Sequence, residues 1–463
     1  MRDIRAFVFI LLTSTSILSS QSLYELQKEF IDLRFGVFFH FGIMTFTGDP
    51  WATPHQDISK FNPADMDCNQ WADAASKAKM KFAILTTKHH DGFCLWDSKY
   101  TDYDVASTPW ENGKGDVLRE FVDAFRNKGI EPCFYYSVWD NTHGIGNKEI
   151  NRDDIEFIKG QLTELLTNYG KIKLLFIDGW SWKMGHRAVP YDEIRELVKK
   201  LQPECLLIDN THIPELYHND LIHFETAVKC PSDNRLPGMQ SMLINKSGGN
   251  DWFWSPDVAT APLLTADEIL ESLDYLEKRW SVFVLNCPPN NKGLIDSSIV
   301  ERLSEIGEKW EPDFNRPPLP EANTVIEHPV VIKSAEAESG NADFAVDGIN
   351  DRYYYSYWES DSTLPQSIIF DLGKNYDLIQ FGYLPKYTPV VQPDNDGSIT
   401  SYVLYASKDK IDFDKIAEGN WMGDHRMKVI RFPAVNARYL KLVVNSAVNN
   451  RAIITEALAG KKK

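Results

Sequence analysis

A chain of 463 residues, 43% of them hydrophobic, can bury a sizeable core and has room for more than one domain. Its net charge of −17 argues against nucleic acid or an anionic membrane as partner, and its one basic run, Lys461-Lys462-Lys463, reads as a solvated tail. Cys68, Cys94, Cys133, Cys205, Cys230 and Cys287 form no CxxC pair and read as isolated buried thiols rather than a disulfide framework.

Residues 1–22 carry the parts of a secretory signal: Arg2 and Arg5, the apolar run Ala6–Leu12, then Ser19-Ser20-Gln21-Ser22. The run is too short to span a bilayer, so it is expected to be cleaved from a secreted, periplasmic or cell-surface protein. No later segment is long and apolar enough for a membrane helix.

From Gln27 short apolar strands alternate with amphipathic helices. Strands are predicted at Gly36–His40, Phe82–Thr87, Pro132–Ser137, Leu174–Asp178, Cys205–Asp209, Leu221–Glu225 and Val282–Asn286. Helices are predicted near Asn69–Lys79, Val117–Lys128, Asp153–Asn168, Asp192–Leu201, Ala266–Lys278 and Ser298–Trp310. Thr265 is a plausible N-cap for the fifth. Nearly every strand ends on a polar residue: His40, His89-His90, Tyr135-Tyr136-Ser137, Asp178, Asp209, Glu225 and Asn286. In a closed barrel such ends converge on one mouth, whereas an open sheet would spread them along an edge. The expected fold is therefore α/β, a (β/α)8-like TIM barrel over residues 23–312. Residues 313–320, rich in proline, read as a stiff linker. Beyond them the helical period disappears, and short β runs at Gln366–Leu372, Ser401–Ser407, Val429–Phe432 and Tyr439–Asn445 predict an all-β sandwich over 321–463.

Asp178 closes a strand of four apolar residues and is followed by Gly179, which suits a nucleophile at a barrel mouth; the structural alternative is a helix cap. Glu225 is a second strand-end carboxylate. Together they supply what glycoside cleavage needs, one group to attack and one to protonate the leaving oxygen. His40, His89 and His90 raise the question of a metal. Neighbours in an extended segment point oppositely, so His89 and His90 are expected to be poorly placed for one ion, and neither an H-x-H pair nor HExxH is present. They read as hydrogen-bonding groups for hydroxyls, with no metal or cofactor expected in catalysis.

Phe39-His40-Phe41-Gly42, Thr87-Lys88-His89-His90-Asp91-Gly92-Phe93, Tyr135-Tyr136-Ser137 and Phe176-Ile177-Asp178-Gly179 resemble the signatures of glycoside hydrolase family twenty-nine, the α-L-fucosidases. The resemblance runs from about Phe35 to Trp310. It implies a retaining mechanism with Asp178 as nucleophile, a fucose pocket lined by His40, His89, His90 and Tyr135, and fucosylated oligosaccharides or glycoconjugates as partners. Glu225 best matches the acid/base of the subgroup that cleaves α-1,3 and α-1,4 fucose, which this chain also resembles in Ser137–Asp140 and Asp251–Trp254. Trp51 and Trp254 join the expected sugar contacts. Where that subgroup commonly reads Glu-Trp-Gly, this chain has Asp49-Pro50-Trp51-Ala52, a departure that bears on linkage preference. The C-terminal part resembles a discoidin-like carbohydrate-binding module in Ala345–Gly348, Tyr357–Ser360, Phe370–Gly373 and Ala437–Leu440, and such modules often carry a structural calcium, here near Asp347. The alternatives are a glycosidase for another sugar with fucose-like hydroxyls, such as a galactoside, and a non-catalytic glycan-binding protein.

Overall fold

The computed structural model describes residues 21–49, 51–146, 149–226, 229–247, 251–312, 316–322, 326, 328–349, 356–386 and 395–463. The signal read over 1–22 lies outside them except at Gln21 and Ser22, as do 313–315 of the linker. Ser22 accepts from Glu25 N and caps a first helix, Leu23–Ile31.

Eight parallel strands follow: β1 (Phe35–Phe39), β2 (Phe82–Lys88), β3 (Glu131–Ser137), β4 (Leu174–Asp178), β5 (Leu206–Asp209), β6 (Ile222–Glu225), β7 (Gly238–Leu243) and β8 (Ser281–Asn286). They pair in the order β5-β4-β3-β2-β1-β8-β7-β6, with β1 between β2 and β8. The sheet curls into a near-closed barrel whose seam falls between β5 and β6. Burial is nearly continuous along the strands because the interior covers one face and the helices the other. Asp67, Asp116, Asn151 and Thr265 cap the outer helices through their side chains, the last two in reciprocal capping boxes with Asp154 and Glu268. Among the described residues no helix separates β5 from β6 or β6 from β7. The connections at the seam are therefore irregular chain, and they bring polar side chains to the mouth. No described helix is long and apolar enough to cross a membrane.

β7 is the strand that the hydrophobic pattern does not reveal, since Gly238-Met239-Gln240-Ser241-Met242-Leu243 is not an apolar run. Its polar groups are spent internally: Gln240 accepts from Cys230 N at 3.0 Å, and Ser241 meets His223 at 3.0 Å. All six cysteines are free and buried, as expected.

The C-terminal domain is antiparallel. Its main sheet runs Asp414–Asn420, Ile399–Ser407, Lys428–Ala447, Gln366–Leu384, Glu456–Lys461 and Pro329–Val330, with Ser334–Ala337 paired to Gln366–Leu384. A two-stranded sheet, Trp358–Glu359 with Ile453–Ile454, completes a discoidin-like sandwich. The runs predicted at Val429–Phe432 and Tyr439–Asn445 belong to one long strand, with irregular pairing where turn residues suggested a break. Trp358, Phe370, Phe381 and Leu442 lie in its core. The domain touches the barrel rim where His186 N donates to Gly348 O at 3.1 Å and Arg426 pairs with Asp233 at 2.8 Å.

Candidate active site

Asp178 is the last residue of β4 and is 6% exposed. Its Oδ1 accepts from Gly179 N at 2.6 Å and from the Trp182 indole at 2.7 Å, and its Oδ2 accepts from the Tyr135 hydroxyl at 2.8 Å. Three donors, two on one oxygen and one on the other, fix the direction of the carboxyl group. The local chain makes this possible. Gly179 has φ +69°, and a Cβ there would lie 2.6 Å from Trp139 Cβ, so glycine alone fits both the turn and the packing. The turn leads into a short π-helix, Trp180–Met184, which swings Trp182 back over the carboxylate. Burial, then the charge of Asp178 and more weakly that of Glu225, pushes the Tyr135 phenol well above its usual range, so it stays protonated and donates.

Three imidazoles share this mouth. His40 Nδ1 meets Asn286 Oδ1 at 2.8 Å, and Asn286 Nδ2 donates to Trp252 O at 2.8 Å. The amide is thereby oriented: Nδ1 of His40 donates, leaving Nε2 as the acceptor. His90 Nδ1 lies 2.6 Å from Ser137 Oγ, whose proton goes to Trp139 O at 2.7 Å, so Nδ1 must donate here too. His90 Nε2 then faces Asp178 Oδ2 at 3.7 Å. His89 Nδ1 is buried with no hydrogen-bond partner. Burial lowers all three pKa values, that of His40 to about 4, so all three are neutral near pH 7. Neutral rings can offer acceptor nitrogens to sugar hydroxyls.

The expectation that His89 and His90 point apart fails. β2 ends at Lys88, its register against β3 shifts between Thr86 and Lys88, and a turn closes from Gly92 N to His89 O at 3.0 Å. The strand alternation no longer applies there, and the two rings lie 4.2 Å apart, both at the mouth. Below them Lys88 is fully buried and reaches Asp140 at 2.9 Å, the Tyr136 hydroxyl at 3.1 Å and Gln161 at 3.1 Å. Gly92, at φ +93°, lies so close to Asp140 that a Cβ would be 2.3 Å from its Oδ1. The Lys-His-His-Asp-Gly stretch is thus a buried ion pair carrying a turn that presents two histidines.

Trp51, 43% exposed, meets His90 at 4.9 Å, Trp139 at 5.2 Å and Trp182 at 6.2 Å between ring centres, forming an aromatic rim. Trp254 is half-buried. Its indole donates to Asp296 at 2.9 Å, whereas Trp252 and Phe253 pack against His40 at 5.0 and 5.4 Å.

Glu225 ends β6 and is partly exposed. Its Oε1 accepts from Asn210 Nδ2 at 2.9 Å, and its Oε2 lies 3.4 Å from His212 Nε2. Asn210 Oδ1 meets His223 Nδ1 at 2.9 Å, one face-sharing step before Glu225 on the same strand. Asn210, His212, His223, Trp139 and Trp182 were not picked out by sequence reasoning. Only His223 carried a signal, its i−2 spacing from Glu225. Asp209, another polar strand end, is turned to support: its Oδ2 takes Ser181 N at 3.1 Å and His186 at 2.6 Å, bracing the π-helix.

A buried carboxylate held by three donors, neutral imidazoles and an aromatic rim at the mouth of a parallel barrel define a glycoside hydrolase site. The chain belongs to the alpha-L-fucosidase family: the family model matches residues 13–311, and an F5/8 type C domain model matches residues 330–457. It is 29% identical to Alpha-L-fucosidase 1 of Arabidopsis thaliana over 434 residues, covering 89% of this chain and 82% of that protein. Against a putative alpha-L-fucosidase of Oryza sativa subsp. japonica it is 27% identical, over 93% of this chain and 83% of the relative. The fold resembles the crystal structure of a putative alpha-L-fucosidase from Bacteroides thetaiotaomicron, with a TM-score of 0.53, 23% identity and coverage of 95% and 97% of the two chains.

Proposed function

We propose that this glycoside hydrolase is a secreted exo-α-L-fucosidase that removes terminal α-1,3- or α-1,4-linked fucose with retention of configuration. The observation that carries the mechanism is the threefold anchoring of Asp178. Asp178 attacks the anomeric carbon while Glu225 protonates the departing oxygen. Glu225 then draws a proton from water, which releases fucose from the ester. His40, His89, His90 and Tyr135 read the hydroxyls, and Trp51 with Trp139 and Trp182 forms the rim that the aglycone crosses.

The test is a pair of substitutions with linkage-resolved substrates. Asp178→Asn is expected to lower kcat by at least about 10⁴-fold with fucose binding retained; near-wild-type turnover rules out its role. Glu225→Ala is expected to spare an activated aryl fucoside in the first step and to regain turnover with azide. Full activity on a natural glycan would exclude it. Lewis trisaccharides should be cleaved ahead of 2-linked fucosyllactose, and the reverse order would overturn the linkage assignment.

In the C-terminal domain we place a structural calcium beside Asp347 and Glu456. Glu456 is fully buried, accepts from Gly348 N at 3.1 Å, and is pushed well above the usual carboxylate range by burial and then by Asp347. Burial also raises Asp347. A buried carboxylate whose ionisation a half-buried neighbouring carboxylate opposes suits a hard cation, and these two would hold it.

A further inference from the structure

Three potential metal ligands meet beside the candidate acid/base. His223 and Glu225 lie two apart on β6 and so share a face of the strand, and His212 comes from the helix-free connection between β5 and β6. One ligand atom from each lies within 4.8 Å of the other two. His212 is held at φ +54° and Thr226, directly after Glu225, at φ +22°, backbone conformations that side-chain-bearing residues adopt only where the surroundings impose them.

The supporting groups suit a metal as well. His223 has Asn210 Oδ1 at 2.9 Å from one ring nitrogen and Ser241 Oγ at 3.0 Å from the other. Both ring nitrogens are thus engaged, so an ion would displace one of these partners while the other still orients the ring, as metal-bound histidines require. Asn210 also donates to Glu225 Oε1, leaving Oε2 on the His212 side. The Glu225 side chain is 28% exposed, which provides a path for an ion and a coordination position for water.

We infer that His212, His223 and Glu225 form a binding site for a divalent transition metal of the zinc type, and that occupancy silences the enzyme. Two imidazoles and one carboxylate with an open fourth position are a recognised zinc set, and small closing movements would bring the three donors to ligand distance. The silencing rests on the reading of Glu225 as acid/base: a carboxylate oxygen bound to a dication cannot carry the proton owed to the leaving group. Metal would therefore act as a reversible inhibitor competing with that proton, outside the catalytic cycle.

The experiment uses the full chain, stripped of metal and titrated with Co²⁺ alone while its visible ligand-field absorption is followed. A saturable one-to-one site displaced by Zn²⁺ is expected, with affinity lowered at least about tenfold in His223→Gln, Glu225→Gln and His212→Asn. The last lies on the connection and keeps the test alive if the β6 variants fail to fold. Absence of a saturable signal, or a signal unchanged in all folded variants, overturns the site. A parallel Co²⁺ titration of fucoside hydrolysis should give the same midpoint as the absorption, and Zn²⁺, which binds such sites more tightly, should inhibit at a lower concentration. Metal binding through these residues with undiminished hydrolysis would uphold the site and overturn the silencing, and with it the role of Glu225. Loss of activity on Asp178 substitution is independent of both.

Discussion

Replacing Lys88 by Met tests the claim that the histidine-bearing turn stands on a buried ion pair. Both side chains of the pair are 0% exposed and lie 2.9 Å apart, so removing the ammonium leaves the Asp140 carboxylate in the interior with the His143 backbone N–H at 3.1 Å and ring at 2.9 Å beside it. Stranding one member of such a pair costs about 3–5 kcal/mol. At roughly 2–4 °C per kcal/mol for a domain approaching this size, the barrel transition should fall by roughly 6–20 °C. The sign with pH follows from the two groups. Burial alone would raise Asp140, but Lys88 and His143 overcome it and hold the carboxyl below its ordinary value. Burial alone would lower Lys88, but Asp140 overcomes it and holds the ammonium above its ordinary value. The contribution is therefore complete above the unfolded Asp pKa of about 3.9 and below the unfolded Lys pKa of about 10.4, and it disappears only outside that window. Urea unfolding of wild type and Lys88→Met should differ most near pH 8 to 9 and less toward pH 5, where the stranded Asp140, raised by burial, takes up a proton, and Lys88→Met/Asp140→Asn should recover part of the loss. A difference below about 1 kcal/mol, or no recovery in the double variant, would refute the role assigned to the pair.

Two further outcomes follow from the cited groups. Because burial lowers His40 to about 4, the unfolded chain takes up that proton first as pH falls from about 6.5 to 4, so folded-state stability is full above the window and declines through it. His40→Gln should remove about 2 kcal/mol of that decline, read from urea unfolding at pH 7 and 4.5, and unchanged slopes would show that the ring is not held neutral. Chelation of calcium should lower the melting transition of the C-terminal domain, and calcium should restore it in wild type but not in Glu456→Gln. A melt indifferent to chelator in wild type would dismiss the ion.

Most of the barrel was legible because its strands are runs of apolar residues closed by polar ones, as in Leu174–Asp178, and its helices carry side-chain caps. β7 was illegible because Gln240 and Ser241 break the run, and their partners, Cys230 N and His223, lie on other segments. His89 and His90 were misplaced relative to each other because strand alternation was extended one turn too far.

What the sequence by itself determined is the set of chemical groups and their addresses on the strands: Asp178 and Glu225 at strand ends, the histidines behind β1 and β2, and a second, β-rich domain. Strand period and burial are local properties, and the chain carries them without help. Only the tertiary structure decided which groups meet. Trp182 reaches Asp178 through a π-helix and a glycine at φ +69°. Asn210, His212 and His223 gather around Glu225 at the seam where β5 and β6 approach without pairing. Those encounters depend on barrel closure and irregular backbone, neither of which leaves a periodic trace in the amino-acid order.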